Sequence, residues 1–416
     1  MICRPPLRII GILPDHECKG RLEFPGGSDN LRGEIDVICL GWFLMPLQRY
    51  QTSCSPCWFN LENRNQMTIR IGIIGLGFMG MTHFEAARNL EGAKVTAIST
   101  RSEKKLAGDW SDIQGNFGPR GSAQTDLTGI KTYRDHLDLL NDPEIDLVDI
   151  CLPTDQHEKV ALEALQAGKH VLVEKPIAIE LEAAKRMLDA AEKAGKLLMV
   201  AHVLPFMPQF RWAFDAVRSG EYGKLLGASF RRVIAPPNWS SDIADFRKLG
   251  GWGIDLHIHD NHYIGLMCGV PKKVFSRGLL REGFVNHVCT QYLYDDQDLT
   301  VSCISGGIAA GELKFANSFE LLLEKATIQF DAGTYGNDWV VNRPLTLIPN
   351  SGEIQTPDPG GRTEWCGAFT EEIQAAVNGV REGKAPEALS GKLACDALKI
   401  CYAEAESIRT IAPAAV

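Results

Sequence analysis

The sequence predicts an α/β protein, with an N-terminal doubly wound parallel sheet of the Rossmann type and then an α+β domain with a large, open, mostly antiparallel sheet. Apolar strands alternate with helices over residues 67–203, and a glycine-rich turn follows the first strand. Such alternation is typical of a parallel sheet covered on both faces. After residue 205, strands follow one another with short turns, which favours antiparallel or mixed pairing.

The length and charge of the chain limit its organisation and its partners. Its 416 residues exceed one compact core, so we expect a first domain at 67–203 and a second at 204–416, whose last helices can pack back on the first. Residues 1–66 have no sustained period and are expected to form a poorly structured extension. The net charge of −9 argues against a nucleic-acid partner. Without a bilayer-length apolar run or a secretory signal, we expect a cytoplasmic protein with no membrane partner.

The 12 cysteines are spread singly, as expected of small buried residues in a reducing compartment. Cys54 and Cys57 form one C-x-x-C, but no second pair stands at a zinc-binding spacing. We therefore predict that the protein binds no metal.

The elements of the first domain follow from residue periodicity. Continuous apolar and β-branched runs indicate strands, and longer segments with apolar residues three and four positions apart indicate helices. The predicted strands are 69–77, 93–100, 145–153, 169–176 and 196–203, and the predicted helices are 79–91, 156–168 and 179–195. Residues 103–129 are expected to be loop with one short helix.

The second domain is expected to open with a helix and continue as a succession of strands. The predicted strands are 225–235, 272–280, 286–296, 298–307, 317–325 and 326–333. The predicted helices are 207–220, one from about residue 254, and two near 367–383 and 389–409.

Gly75, Gly77 and Gly80 form a G-x-G-x-x-G turn between the first strand and the first helix. Gly75 permits a tight turn, Gly77 lets the backbone approach a pyrophosphate, and Gly80 lets the helix pack closely on the strand. The N–H groups at the helix start, which includes Phe78 and Met79, would face the phosphates. We predict a dinucleotide site, and a glycine-rich turn without a ligand is the alternative.

The end of the second strand bears on the choice of cofactor. A carboxylate there would bind the ribose 2′-hydroxyl of NAD, but the chain has Ser99, Thr100, Arg101 and Ser102. Arg101 offers a partner for a 2′-phosphate, so NADP is favoured over NAD. The alternative is that Arg101 stacks on adenine or is a solvated surface residue, and that NAD binds.

The glycine turn, LPTDQH at 152–157, EKP at 174–176 and GGWGIDLHIHD at 250–260 together resemble the Gfo/Idh/MocA family of glucose–fructose oxidoreductases and inositol dehydrogenases. The resemblance covers about residues 67–409 in order and spacing. It implies hydride transfer between a nicotinamide and a sugar, polyol or related hydroxyl compound. It also implies a homodimer or homotetramer formed through the open sheet of the second domain.

The resemblance further implies a cofactor contact along Leu152, Pro153 and Thr154, made chiefly by the backbone. Thr154 or Asp155 is a candidate N-cap of the helix that follows. Whether His157 also contacts the cofactor stays open.

Glu174 and Lys175 end a predicted strand, at the edge where parallel sheets bind ligands. Pro176 lacks an N–H and stops the strand. The resemblance implies that Lys175 lies beside the nicotinamide and the substrate hydroxyl, and a surface lysine paired with its neighbour is the alternative. Glu174 is counted among the cofactor-binding residues, although a role in local structure is favoured.

Asp255 and His259 are four residues apart, so a helix from Ile254 onward would project both from one face. The carboxylate would then orient the imidazole or bind the substrate. A histidine with a pKa near neutral suits removal of the hydroxyl proton during alcohol oxidation. The resemblance assigns this pair to catalysis, and the neighbouring His257 and His262 leave the prediction of no metal unchanged.

Further substrate contacts are predicted on either side of the domain boundary. His202, after the last strand of the first domain, is a candidate contact or a core histidine. Arg247 is a candidate contact in the loop before the helix, where Trp239 and Trp252 either grip a sugar ring or pack the loop. Pro205 stands where the family commonly has an arginine, so contacts from that turn are expected to differ.

Three functions remain open at this point. An NAD(P)-dependent oxidoreductase is favoured, and a glycoside hydrolase that uses tightly held NAD for transient oxidation is the first alternative. A non-catalytic dinucleotide-binding sensor is the second alternative, against which the intact Lys175, Asp255 and His259 argue.

Overall fold

The structure, a computed structural model, describes three stretches of the chain, which are residues 68–115, 118–236 and 250–416. These stretches belong to one compact unit. The predicted extension at 1–66 and the loop residues Trp239 and Arg247 lie outside the described residues.

Parallel strands with helices on both faces form the first sheet. Its strands are β1 (Ile69–Ile74), β2 (Ala93–Ser99), β3 (Lys131–Tyr133), β4 (Leu147–Ile150), β5 (His170–Glu174) and β6 (Leu198–Ala201). The accompanying helices are α1 (Phe78–Ala86), α2 (Glu103–Leu106), α3 (His136–Leu140), α4 (His157–Gln166) and α5 (Leu181–Ala194). The strands lie in the order β3-β2-β1-β4-β5-β6 and all pair in parallel. This confirms the predicted Rossmann sheet, whose order reverses beside the carboxyl ends of β1 and β4, where ligands bind.

A second, mostly antiparallel sheet follows. Its strands are β7 (Leu225–Ile234), β8 (Lys273–Arg281), β9 (Phe284–Leu293), β10 (Thr300–Gly306), β11 (Leu313–Leu323), β12 (Ala326–Tyr335), β13 (Asp338–Pro349) and β14 (Ala414–Ala415). The helices are α6 (Pro208–Ser219), α7 (Gly251–Asp255), α8 (Ile258–Cys268), α9 (Gly367–Glu382) and α10 (Gly391–Thr410). The strand order is β13-β12-β11-β7-β10-β9-β8-β14, in which only the β7–β10 pair is parallel. This confirms the predicted class of the second sheet.

The last two long helices join the two sheets. In α9, the hydroxyl of Thr370 donates to the carbonyl of Ala86 at the end of α1 (3.1 Å). In α10, the hydroxyl of Tyr402 donates to the carbonyl of Ile179 just before α5 (2.8 Å). Both helices are therefore fixed to segments that surround the first sheet. No helix in the described ranges is long and apolar enough to cross a membrane.

The continuous helix predicted from residue 254 is wrong, because the chain breaks between α7 and α8. The N–H of His257 bonds to the carbonyl of Trp252, five residues back (2.9 Å), and the N–H of His259 bonds to that of Leu256, three residues back (3.3 Å). Such a wide turn inside a helix is often found at functional sites. It leaves the carbonyl of Asp255 without its usual helical partner.

The sequence analysis also missed the short elements β3 and α3 and the long strand β13. Strand β13 contains Pro344, which weakens a strand signal but is tolerated on an edge strand, and β13 lies at the edge of its sheet.

Candidate functional site

The glycine turn has the shape that a pyrophosphate needs. Gly75 has φ +97°, and a Cβ there would lie 2.5 Å from the carbonyl oxygen of Cys151. A Cβ on Gly80 would overlap the carbonyl oxygen of Gly75, so helix α1 sits directly on the turn. No atom lies within 4 Å of a Cβ on Gly77, which leaves open space above its backbone. The first turn of α1 has neither a side-chain cap nor an acidic residue, so the N–H groups from Phe78 onward suit an anion.

The end of β2 carries two cations near the glycine turn. Arg101 is exposed, and Thr100 turns its hydroxyl oxygen to the N–H of Ser102 (3.4 Å). Lys105, which sequence reasoning missed, donates from Nζ to the carbonyl of Leu76 inside the turn (2.8 Å). A lysine in the first turn of the short helix after β2 was the available signal. These groups fit the phosphate-bearing part of a dinucleotide.

The turn after β4 begins at Leu152 and is held from inside by a histidine. Both ring nitrogens of the buried His157 lie against backbone carbonyls, Nε2 at 2.8 Å from Leu152 and Nδ1 at 2.9 Å from Pro176. A direct bond from this ring to a cofactor would have to replace one of these contacts. Pro153 is exposed and Thr154 partly so, as a backbone contact requires.

The predicted N-cap of the helix after β4 is wrong. Residues Thr154–Gln156 form a 3₁₀ turn, and α4 begins at His157 without a side-chain cap. The tighter turn brings the chain into the helix without help from the side chain of Thr154 or Asp155.

Lys175 stands at the end of β5, where the Lys175–Pro176 bond is cis. Its ammonium donates to the backbone carbonyl of Asp255 (2.7 Å) and to the Oδ1 atom of the same residue (3.1 Å). The carbonyl is the one released by the break between α7 and α8. An ammonium has three N–H donors, so one donor remains for a ligand.

Of the two roles expected of Asp255, orientation of the His259 ring is not found, and binding of the substrate stays a prediction. The carboxylate of Asp255 pairs with Lys175, and no hydrogen bond from it to His259 is found among the described residues. The break in the helix changes the direction of both side chains, so the spacing of four residues does not bring them together.

Glu174 lies beneath the lysine rather than in the cleft. Its Oε2 atom accepts the N–H of Lys175 (2.9 Å), and its Oε1 atom lies 3.0 Å from Nε2 of His83. The other ring nitrogen of His83, Nδ1, lies 2.9 Å from Asp149. Glu372 of α9 lies 3.9 Å from the first nitrogen, Nε2. Burial opposes the charge on His83, but Asp149 and other neighbours raise its pKa well above the usual range.

Sequence reasoning missed His83 and Glu372. His83 lies three residues after the last glycine of the turn, on an otherwise apolar buried face of α1, which was the available signal. Glu372 is fully buried, and burial raises its pKa well above the usual range. Together, Glu174, His83 and Glu372 connect the turn that carries Lys175 to α1 and to α9.

His259 lies in the first turn of α8 and is partly buried. Burial, together with the charges of Lys175 and Arg232 and the neighbouring His262, lowers the pKa of His259 well below the usual value. The guanidinium of Arg232 is itself held by both carboxylate oxygens of Asp260 at 3.0 Å. His202 is fully buried, with its ring edge-on to His259 at 6.1 Å between centroids. In this arrangement His202 meets His259 rather than the open cleft.

Comparison with known proteins identifies the family. A family model described as an oxidoreductase family with an NAD-binding Rossmann fold matches residues 69–202. The myo-inositol 2-dehydrogenase of Thermotoga maritima is 30% identical over 354 residues, which are 82% of this chain and 96% of that protein. The chain belongs to the Gfo/Idh/MocA oxidoreductase family. It is therefore an oxidoreductase that acts on CH–OH groups with a nicotinamide dinucleotide.

Other members of the Gfo/Idh/MocA family match in part or in fold. Inositol 2-dehydrogenase 2 of Saccharopolyspora erythraea is 32% identical over 46% of this chain and 53% of its own length. A glycosyl hydrolase family 109 protein of Shewanella sp. (strain W3-18-1) is 30% identical over 46% of this chain and 40% of its own length. The apo scyllo-inositol dehydrogenase structure from Lactobacillus casei has a TM-score of 0.63 at 22% identity, covering 84% of this chain and 98% of that one. That structure shares the fold.

Two buried clusters in this family member contain side chains of the types that ligate metals. One consists of His83, Asp149 and Cys151, and the other of His257, Asp260 and Cys303. Contacts within the protein already occupy both histidines, including one of 2.9 Å from Nε2 of His257 to Glu404. The absence of a metal therefore stays a prediction. Trp252 is buried and packs in the core, which fits the predicted packing role rather than the gripping of a sugar ring.

Proposed function

We propose that this oxidoreductase is a sugar or polyol dehydrogenase in which Lys175 and His259 act on the substrate hydroxyl. The observation that carries the proposal is the position of Lys175, whose ammonium donates to the carbonyl of Asp255 (2.7 Å), four residues before His259. Lys175 and His259 are near enough that the charge of Lys175 lowers the pKa of His259. An ammonium and a neutral imidazole on one oxygen suit alcohol oxidation.

A bound dinucleotide would supply the acceptor for the hydride that leaves the carbinol carbon. The free N–H of Lys175 donates to the hydroxyl oxygen and stabilises the charge that develops as its proton leaves. A ring nitrogen of His259 takes that proton, so the C–H and O–H bonds both break and a C=O bond forms. In the opposite direction the imidazolium returns the proton to the carbonyl oxygen.

The low pKa of His259 keeps its ring in the neutral form that a base requires, and it lies below the near-neutral value expected from the sequence. Because its folded pKa lies below 6.5, the neutral ring persists at mildly acidic pH. Once protonated, the ring is a stronger acid than an ordinary imidazolium, so it gives up the proton readily when the reaction reverses.

A cofactor-reduction screen tests the proposal. Inositols, aldoses, other polyols and sugar acids are offered with NAD and with NADP, and the near-ultraviolet absorbance of reduced nicotinamide is followed. We expect reduction with at least one neutral polyol or sugar. Release of sugar from a glycoside without net reduction would instead favour the hydrolase function, in line with the similarity to a glycosyl hydrolase family 109 protein. Binding of dinucleotide without turnover across the panel would favour the sensor.

We further propose that NADP is the preferred dinucleotide, because Arg101 and Lys105 are cations at the end of β2. The nearby Glu103 is already paired with Arg134. Loss of one charge-assisted bond costs about 1.5 kcal/mol or more, so Arg101→Ala should raise the KM for NADP about tenfold or more. The KM for NAD should change little. Arg218→Ala, which removes an exposed arginine of α6, is the matched control, and an equal loss with both dinucleotides would contradict the preference.

The open face of the second sheet supports a homo-oligomer, as a homodimer or homotetramer. Leu279, Ile304 and Leu322 are 56%, 43% and 44% exposed on separate strands of this sheet. Apolar side chains spread over a sheet face fit a second copy of the same face. Ile304→Glu should lower the molar mass measured by light scattering. Leu137→Glu, equally exposed at 44% but on α3, should not.

A cytoplasmic location remains part of this proposal. The seven cysteines within the described ranges are all free thiols, which suits a reducing compartment.

A further inference from the structure

Three histidine rings meet behind the proposed base. His259 and His262 are three residues apart on α8 and so lie on one face of the helix. His202 reaches this face from the end of β6. Its ring stacks on that of His262, with centroids 3.9 Å apart and planes 7° apart, and meets the ring of His259 edge-on at 88°.

The two rings behind His259 are unusual core residues. His202 and His262 are both 0% exposed. Neither ring nitrogen of His202 has a hydrogen-bond partner among the described residues. An unsatisfied buried polar atom costs about 1–3 kcal/mol, so an apolar side chain would stabilise this position better than a histidine without partners.

The surroundings of the three rings are cationic. Lys175 from the end of β5 and Arg232 from β7 face them. The carboxylates of Asp255 and Asp260 pair with these two cations rather than with any of the three rings. Burial lowers the pKa of His202 well below the usual value, with His262, His259 and Lys175 adding to it. Burial lowers the pKa of His262 to about 3, although the backbone of Ala388 raises it. Both shifts favour the neutral form of the two rings.

We propose that His202 and His262 are positioning residues for His259, forming a neutral wall that fixes its ring and keeps water from its inner side. The inference rests on the proposed function only in taking His259 as the base. The wall has two consequences. It prevents the ring of His259 from turning inward, and it leaves the cleft as the path by which a captured proton departs.

The wall predicts a specific effect of removing the His202 ring. His202→Ala admits water behind His259, which relieves its desolvation. We expect the acidic limb of the pH profile of kcat/KM to move up by about one pH unit, towards the ordinary pKa of a histidine, and kcat to fall. His202→Phe restores a flat ring without nitrogens and should return the limb to its original position. His287→Ala, a histidine of β9 bonded to the Ser305 carbonyl, is the control that should not move it.

A histidine NMR titration makes the test independent of turnover. The imidazole resonance of His259 is assigned by its loss in His259→Asn, and its pKa is measured in the wild-type protein, His202→Ala and His202→Phe. A failed substrate screen would count against the dehydrogenase, while the titration would still decide the wall. If His202→Ala does not fold, His262→Ala carries the same expectation.

Two results would overturn the wall. One is an unchanged His259 pKa in a folded alanine variant that still binds dinucleotide. The other is a phenylalanine variant that behaves like the alanine variant, because the nitrogens of His202 rather than its shape would then matter.

Discussion

His257 and His259 lie two residues apart at the start of α8, yet the structure gives them opposite surroundings. The ring of His257 is fully buried, with Nε2 2.9 Å from Glu404 and Nδ1 3.7 Å from Asp260. Burial opposes its charge, but Glu404 and the other neighbours raise its pKa well above the usual range. The ring of His259 instead packs edge-on against His202 and has no carboxylate partner among the described residues. Burial and the nearby cations lower its pKa.

The difference shows that residues distant in the chain decide which histidine serves as a base. Glu404 lies 147 positions from His257, and Lys175, which lowers the pKa of His259, stands at the end of β5 in the first sheet. One histidine therefore holds a proton within a buried network with Asn261 and Tyr292. The other is neutral and faces the cleft. The break between α7 and α8 separates the two environments.

Removing the lysine is expected to have the largest effect on this comparison. Lys175→Met should lower kcat/KM about 10³-fold, because the developing charge on the substrate oxygen loses its hydrogen-bond donor. It also removes a charge that lowers the pKa of His259, so the acidic limb of the residual activity should move to higher pH. The measurement is a pH series of kcat/KM. A residual activity with an unmoved limb would separate the lysine from the histidine.

Exchanging each histidine in turn should separate catalysis from stability. His259→Asn should lower kcat/KM about 10²-fold or more through loss of the base, with little change in the free energy of unfolding. His257→Asn leaves Glu404 without its cationic partner and should cost about 3 kcal/mol of stability. The folded fraction of that variant should retain most of its turnover. Steady-state kinetics and denaturant unfolding on both variants check this. Equal loss of turnover in both would remove the distinction.

The stability contributed by His257 should also depend on pH. Because its folded pKa is raised above the unfolded value, its contribution is complete below about pH 6.5 and is lost as the pH rises through the folded pKa. The wild-type protein should lose stability over this alkaline range more steeply than His257→Asn. Unfolding curves at several pH values give the comparison, and parallel slopes would contradict it.

The parts that the sequence predicted well are those with a local signal. The glycine turn and the end of β5 depend on glycine, proline and a continuous apolar run, and all three are visible in the sequence. The break after Asp255 was not predicted, because apolar periodicity continues through it and the deciding hydrogen bonds leave no pattern. Glu372 was missed for a related reason, since its partner His83 lies on a helix of the other domain. Spacing along a helix identified candidate side chains but not the groups that they face.

The smallest effect on kcat/KM is expected at Asp255, because its spacing from His259 suggested a pairing that the structure does not show. Asp255→Asn removes the carboxylate but keeps the backbone carbonyl, which is the closer acceptor of Lys175 at 2.7 Å against 3.1 Å. The side chains of this pair are 20% and 27% exposed, so solvent screens part of the interaction. We expect a loss of only about threefold to tenfold in kcat/KM. With its charge less compensated, Lys175 should lower the pKa of His259 further and move the acidic limb to lower pH. A loss as large as that of Lys175→Met would mean that the carboxylate acts on the imidazole, as the spacing of four residues first suggested.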